Sequence, residues 1–265
     1  MTARPTAALF RSSMAGHGST EFFGGVPLHL RPFVRIGAVL LIALTATFCM
    51  AAPAHAQGGN AAHIRGALLV ENGKVAPGGG DTLALSFEPD AGWHGYWSNP
   101  GDAGFGIDLK WTLPKGVTLD EAQFPVPQTL TIAGLMNHVY EGPHALLFDL
   151  MLDKSVAPGT RLPIGLDAQW LACTDEICVP ETGHFETTLV AGPGGQAATA
   201  RFDRFRSALP TPLDRPATFE VANGLLRLAI PFPAAAAAPA PHFFASADGM
   251  VDYAAPQRFS RVGDR

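Results

Sequence analysis

The chain has 265 residues, of which 47% are hydrophobic and 15% charged, and its formal net charge is −5. This composition excludes an intrinsically disordered chain, and the chain lacks the basic surplus of a nucleic-acid-binding protein. The 29 glycines and 23 prolines favour short strands joined by turns over long helices.

The first 56 residues have the order of a secretory signal peptide. Arg31 and Arg35 precede an apolar run at residues 36–50, which leads into the small-x-small sequence Ala-His-Ala at residues 54–56. We therefore expect residues 1–56 to be a signal peptide that directs export and is removed. A membrane anchor is the alternative, although the run is shorter than the roughly 20 residues that span a bilayer.

Cleavage after Ala56 would remove Cys49 and leave two cysteines, Cys173 and Cys178. An even number of cysteines in an oxidising compartment indicates one disulfide bond.

Five segments after the leader alternate apolar and polar residues, which is the pattern of half-buried β-strands. Their inward-facing members are Leu83, Leu85 and Phe87; Ile107, Leu109 and Trp111; Leu146, Phe148, Leu150 and Leu152; Ile164, Leu166, Ala168 and Trp170; and Phe185, Thr187 and Leu189. Proline and glycine indicate turns at residues 77–80, 89–92 and 99–102. The pattern predicts an all-β fold, a β-sandwich over residues 57–190.

The remainder of the chain is predicted to hold less structure. Residues 191–215 are expected to form a linker with one short helix, in which Phe202, Phe205 and Leu209 share a face. Alternating apolar residues after this point predict two more strands. We expect residues 216–265 to be the start of a second β unit.

The residue pair most suited to chemistry is Cys173 and Cys178, which lie in a predicted turn between two strands. Closing so short a loop constrains the unfolded chain little, so the placement favours redox exchange over stabilisation. Exchange requires one thiolate to attack a disulfide and a second thiol to resolve the mixed disulfide. An ordinary structural disulfide is the alternative.

The residues around the pair make its two sulfurs unequal. Asp175 and Glu176 lie between the cysteines and should oppose thiolate formation, relative to the ordinary cysteine pKa of about 8.5. Cys173 follows an apolar strand end and is predicted to be the more buried. Cys178 precedes Val179 and Pro180, and a proline there indicates a strand edge.

A metal site competes with the redox interpretation. Cys173, Cys178 and His184 are an alternative set of ligands for copper or zinc. A dedicated zinc site normally adds a second ligand pair, which only scattered histidines would supply here. We therefore assign no metal and no cofactor. The aromatic stretch at residues 93–97 is interpreted as core and rim of the sandwich, with Trp93 and Trp97 packed inward.

Five short motifs occur in order along the chain. They are W-H-x-Y-W-x-N-P-G-D-x-G at residues 93–104, W-x-L-P-x-G at 111–116, F-P-x-P at 124–127, Y-E-G at 140–142 and C-x₄-C-x-P-E at 173–181. Together they resemble the N-terminal periplasmic domain of the thiol:disulfide interchange protein DsbD family, and more closely its ScsB-like branch. The likeness spans residues 64–190, and more weakly 243–257.

The resemblance implies an immunoglobulin-like β-sandwich in the periplasm. Such a domain takes electrons from a membrane electron-donor domain and passes them to thioredoxin-like partners, as a protein-disulfide reductase component without a bound cofactor. By resemblance, Cys178 forms the mixed disulfide with partners and Cys173 resolves it. A cap loop would cover the pair, best matched by Val139, Tyr140 and Glu141. The resemblance also implies a role in cytochrome c maturation and copper tolerance.

The sequence departs from the family in two ways. Full members continue into a multi-span membrane domain and a thioredoxin-like domain, which this sequence does not contain, and its cysteine spacing differs from that of the best-known members. We therefore expect a fragment, a truncated product or one part of a split system. The alternative function is a secreted β-sandwich interaction module with a purely structural disulfide, with or without metal contacts.

Overall fold

The computed structural model describes residues 62–195, 198–213, 215–232 and 240–262. The predicted signal peptide lies outside these residues. In chain order the elements are β1 Ile64–Val70, β2 Lys74–Val75, β3 Gly80–Pro89, β4 Gly95–Gly101, β5 Asp108–Thr112, β6 Val117–Leu119, β7 Gln128–Ile132, β8 Leu135–Tyr140, β9 His144–Leu152, β10 Arg161–Cys173, β11 Cys178–Ala191, α1 Thr199–Ser207, β12 Thr218–Ala222 and β13 Leu225–Ala229. Within the described ranges, no helix is long and apolar enough to cross a membrane.

Two four-stranded sheets and one three-stranded sheet make up the larger part of the fold. Sheet A has the order β1-β3-β9-β6, sheet B the order β2-β11-β10-β5, and sheet C the order β4-β8-β7. All strand pairs are antiparallel except β2 with β11. The fold is thus the all-β, immunoglobulin-like sandwich that the sequence predicted.

The core lies between sheets A and B, where the alternating apolar residues of both sheets meet. Members with little or no exposed surface include Leu83, Leu85, Phe148, Leu150, Ile164, Leu166 and Leu189. Period-2 alternation in the sequence therefore identified the core face of β3, β9, β10 and β11.

The outer face of sheet A is also covered, which the alternation did not predict. Ala84, Ala145 and Leu147 point away from the main core and are buried with Phe202 of α1, whose side chain is 1% exposed. The helix therefore packs on the outer face of sheet A.

The segment at residues 99–102 is not the turn that the sequence predicted. β4 continues to Gly101, and its register with β8 shifts between Tyr96 and Gly101. Gly101 has φ +89° and passes so close to β8 that a Cβ there would lie 2.4 Å from the Met136 carbonyl oxygen. The Asn-Pro-Gly sequence therefore encodes a strand irregularity, and the chain bends only after it.

Asn99 links sheet C to the C-terminal segment at residues 240–262. Its Nδ2 donates hydrogen bonds to the carbonyl oxygens of Ala245 (2.8 Å) and Ala247 (3.2 Å) and to the Tyr253 hydroxyl (3.0 Å). The buried ring of His138 packs edge-on against Tyr253, with 5.3 Å between ring centroids. The segment is therefore anchored on β4 and β8.

β12 and β13 form a hairpin whose side chains are largely exposed, including Phe219 and Val221. Asn223 and Gly224 both have positive φ at its turn, as a two-residue hairpin loop requires. The division of the chain into a leader, residues 57–190, a linker and a second β unit stays a prediction.

Candidate functional site

Cys173 and Cys178 are joined by a disulfide at the tip of the β10–β11 hairpin. They form the last rung of a register that runs from Arg161 opposite Val190 to Cys173 opposite Cys178. Continuous pairing over both strands holds the two cysteines side by side. The single disulfide predicted from the cysteine count is confirmed.

The turn between the cysteines is fixed by its own hydrogen bonds. The Thr174 amide donates to the Ile177 carbonyl oxygen at 2.8 Å. The Thr174 hydroxyl oxygen accepts from the amides of Glu176 and Ile177, each at 3.2 Å. These bonds leave the side chains of Asp175 and Glu176 exposed at the tip.

The two sulfurs differ sharply in exposure. Cys173 is fully buried, whereas Cys178 is exposed. β10 is paired on both sides at Cys173, with β11 and through a bridge to His94. Within the described part of the chain, β11 pairs only with β10 beside Cys178, because β2 pairs with Val190 and Ala191 at the other end of β11. The prediction that Cys173 is the more buried cysteine is confirmed.

A groove of about 450 Å³ lies beside the tip. Its lining includes Trp93, His94, Glu141, Thr174, Asp175 and Glu176. Three of these side chains are carboxylates. The groove therefore presents negative charge at the hairpin tip, and negative charge near a thiol disfavours its thiolate.

His94 is a feature of the site that the sequence did not reveal. Its backbone forms two hydrogen bonds with Cys173, amide to carbonyl in each direction, at 2.8 and 3.0 Å. Its side chain is 2% exposed, and no described residue forms a hydrogen bond with its Nε2 atom. Burial lowers the pKa of His94, and the charges of Asp175 and Glu141 act in the opposite direction.

The three predicted cap-loop residues lie at the end of β8. Val139 is fully buried and Tyr140 is 5% exposed, whereas Glu141 is exposed and lines the groove. The Tyr140 hydroxyl donates to the Pro125 carbonyl oxygen at 2.7 Å, and its ring stacks on His144 at 4.2 Å. Tyr140 is therefore firmly packed, and its role as a cap stays a prediction.

Glu181 organises the base of the hairpin. It faces Trp170 across the strand pair, and its Oε2 accepts a hydrogen bond from the indole Nε1 at 2.9 Å. The same carboxylate accepts from the backbone amides of His63 at 2.6 Å and Ile64 at 3.2 Å. The motif Cys-x-Pro-Glu therefore supplies a buried acceptor that fixes the start of β1. A buried tryptophan that needs an acceptor is the signal that could have identified this glutamate.

The alternative metal ligands are not brought together. His184 lies six residues beyond Cys178 on β11, about 20 Å along an extended strand. It pairs instead with Asp167 at 2.6 Å and Glu186 at 3.3 Å, which raise its pKa. Among the described residues, no group of three or more histidine, cysteine, aspartate or glutamate side chains is arranged to hold a metal ion.

Fold and site together define a β-sandwich domain that carries an asymmetrically exposed cysteine pair at a hairpin tip. Residues 67–190 match the family described as thiol:disulfide interchange protein DsbD, N-terminal. These residues are therefore a DsbD N-terminal-like domain, as the five motifs predicted.

The solved structures to which this chain is similar include two bacterial domains. The N-terminal periplasmic domain of ScsB from Proteus mirabilis has 16% sequence identity and a TM-score of 0.46, and the match covers 63% of this chain and 64% of that one. This chain thus spans less than two thirds of that structure. The reduced Neisseria meningitidis DsbD N-terminal domain has 16% identity, a TM-score of 0.29 and coverage of 49% and 91%. No curated protein sequence matches the chain significantly.

Proposed function

We propose that the domain is a periplasmic thiol-disulfide relay that passes reducing equivalents to partner proteins through Cys173 and Cys178. One observation carries this proposal: the disulfide places an exposed sulfur, Cys178, next to a fully buried one, Cys173. A relay needs one sulfur that a partner can reach and a second that stays close enough to resolve the mixed disulfide. The DsbD N-terminal family match supports the same chemistry.

The proposed cycle starts from the reduced pair. The Cys178 thiolate attacks a disulfide of the partner, forms a mixed disulfide with one partner sulfur and releases the other as a thiolate. The Cys173 thiol loses its proton and attacks the Cys178 sulfur. The bond to the partner then breaks, the second partner sulfur leaves as a thiolate, and both partner thiolates take up protons. Two electrons pass to the partner, and the Cys173–Cys178 disulfide forms again.

The proposed partners are thioredoxin-like periplasmic proteins, with a membrane electron-donor domain as the source of electrons. Both assignments rest on the family resemblance. The predicted signal peptide at residues 1–56 supports a periplasmic location. Cytochrome c maturation and copper tolerance stay predictions of the same kind.

The proposed cap consists of Val139, Tyr140 and Glu141. Exchange depends on access to the attacked sulfur, so a reactive disulfide needs shielding from thiols other than those of its partners. Glu141 lies on the wall of the groove beside the hairpin tip. Val139 and Tyr140 would hold that wall in place from the buried end of β8.

The redox equilibrium of the pair tests the proposal. The oxidised protein is incubated in glutathione buffers of graded potential, and the two states are separated after alkylation. A relay pair should have a reduction potential above about −300 mV, whereas structural disulfides lie below it. Resistance to reduction throughout the glutathione range would favour the secreted interaction module with a structural disulfide.

A further inference from the structure

The strand bridge between His94 and Cys173 positions their side chains as neighbours. The two residues exchange both backbone hydrogen bonds, at 2.8 and 3.0 Å, which defines a directly opposed antiparallel pair. In such a pair both side chains point to the same face, with Cβ atoms about 5 Å apart. The side chain of His94 therefore lies on the same face of the strands as that of Cys173, one strand away from it.

The unpaired ring nitrogen of His94 calls for an explanation. Buried polar groups in folded proteins nearly always have a hydrogen-bond partner, and exceptions often have a catalytic or redox role. His94 is 2% exposed, and its Nε2 has no hydrogen-bond partner among the residues that the structure describes. In the disulfide form Cys173 carries no proton to donate. Reduction gives Cys173 an S–H group. A donor for His94 Nε2 is therefore available only in the reduced state.

The chemistry of resolution needs a proton acceptor at the same place. Cys173 must become a thiolate to attack the mixed disulfide, because the thiolate is the nucleophile. Burial raises the pKa of a thiol, and the nearby negative charge of Asp175 disfavours a thiolate further. A neutral base in contact with the thiol would remove this barrier.

The groups around His94 suit that role. Desolvation lowers the pKa of His94, which keeps the ring neutral and able to accept a proton near pH 7. Asp175 on the turn and Glu141 at the end of β8 both favour the protonated ring. Tyr96 packs edge-on against it, with 5.5 Å between ring centroids. An imidazolium formed for the duration of the step would therefore be stabilised by two carboxylates.

We propose that His94 is the proton acceptor for the Cys173 thiol during resolution, an assignment that rests on the proposed relay function. In the mixed disulfide, the Cys173 S–H proton passes to His94 Nε2. The sulfur electron pair forms the bond to Cys178, and the bond from Cys178 to the partner sulfur breaks. The partner thiolate then takes the proton from the imidazolium, which restores neutral His94. The step needs no other reactant.

An aromatic disulfide with a coloured leaving thiolate, dithiobis(nitrobenzoate), separates the two steps. Attack by the reduced pair on the reagent releases one coloured thiolate, at a rate that depends on reagent concentration. Intramolecular resolution releases the second at a rate that does not. His94→Gln keeps a polar side chain but removes the titratable base, and His184→Gln is the matched control at an exposed histidine.

His94→Gln should slow the second phase about 10²-fold, the lower end of general-base contributions, and leave the first phase within about twofold. In the variant the second phase should also rise about tenfold per pH unit, since it then depends on the thiolate fraction. The wild type and His184→Gln should be nearly independent of pH from neutrality upward. An unchanged second phase, or a slower one with an unchanged pH profile, would overturn the assignment.

A measurement on the unsubstituted protein covers the case in which His94→Gln does not fold. The nitrogen chemical shift of His94 Nε2 should change on reduction, because a new S–H donor then faces it. An identical shift in both redox states would contradict the proposal. If the wild-type pair shows no second phase at all, the relay function itself fails, and the two failures are therefore distinguishable.

Discussion

Replacing Glu181 with alanine should lower the free energy of unfolding by about 3 kcal/mol. The carboxylate is 9% exposed and accepts three hydrogen bonds, from the Trp170 indole and the amides of His63 and Ile64. Hydrogen bonds to a charged group contribute about 1.5–3 kcal/mol each. Water can replace the carboxylate at His63, which is only partly buried, whereas the Trp170 N–H is left in the core without a partner. The expected loss is therefore smaller than the summed contributions of the three hydrogen bonds.

The measurement is urea unfolding of the oxidised protein, followed by tryptophan fluorescence. With an m-value of about 2 kcal/mol/M, a loss of about 3 kcal/mol lowers the midpoint by about 1.5 M. Glu181→Gln keeps one acceptor oxygen and should fall between the alanine variant and the wild type. Glu186→Ala is the matched control, because it lies on the same strand and its side chain is 77% exposed. Equal midpoints for the two alanine variants would refute the role given to the buried carboxylate.

Three further predictions concern other parts of the domain. Burial lowers the pKa of His144 to about 4, against about 6.5 when unfolded, so up to about 3 kcal/mol of stability should be lost as the pH falls from 6.5 to 4. His144→Gln should flatten the dependence of stability on pH between 6.5 and 4. An unchanged dependence in this variant would contradict the role given to His144. Asn99→Ala should make residues 240–262 at least tenfold more sensitive to protease without changing the urea midpoint of the sandwich; equal cleavage would show that other contacts hold the segment. Tyr140→Ala should speed alkylation of the reduced cysteine pair severalfold. Tyr140→Phe, which loses only the hydroxyl contact, should not change the rate. Equal alkylation rates for the two variants would exclude Tyr140 as a cap.

The strands were predictable from the sequence because alternation is a local property. Leu83 and Leu85, or Ile164 and Leu166, lie two residues apart and share a face whatever the rest of the chain does. The hairpin tip was predictable for the same reason, since the two cysteines lie between adjacent strands. The difference in burial between Cys173 and Cys178 followed from their immediate neighbours.

The contacts that complete the site could not be predicted in this way. His94 and Cys173 are far apart in sequence and meet only because a strand bridge brings β10 to the start of sheet C. Glu181 binds the amide of His63 across 118 positions of the chain. Local periodicity carries no information on such pairings. The turn predicted at residues 99–102 was wrong for another reason. Asn-Pro-Gly is a common turn sequence, but here it forms an irregularity within β4.

The most direct test of the relay is to trap its covalent intermediate. Cys173→Ser and Cys178→Ser are each reduced and mixed with oxidised thioredoxin, and adducts that dithiothreitol reverses are identified by mass spectrometry. The relay predicts an adduct through Cys178 in Cys173→Ser, because the resolving thiol is gone, and little adduct in Cys178→Ser. Capture mainly through Cys173 would reverse the roles of the two sulfurs. The absence of an adduct with either variant, together with a similar loss of stability in both, would contradict the relay and indicate a structural disulfide.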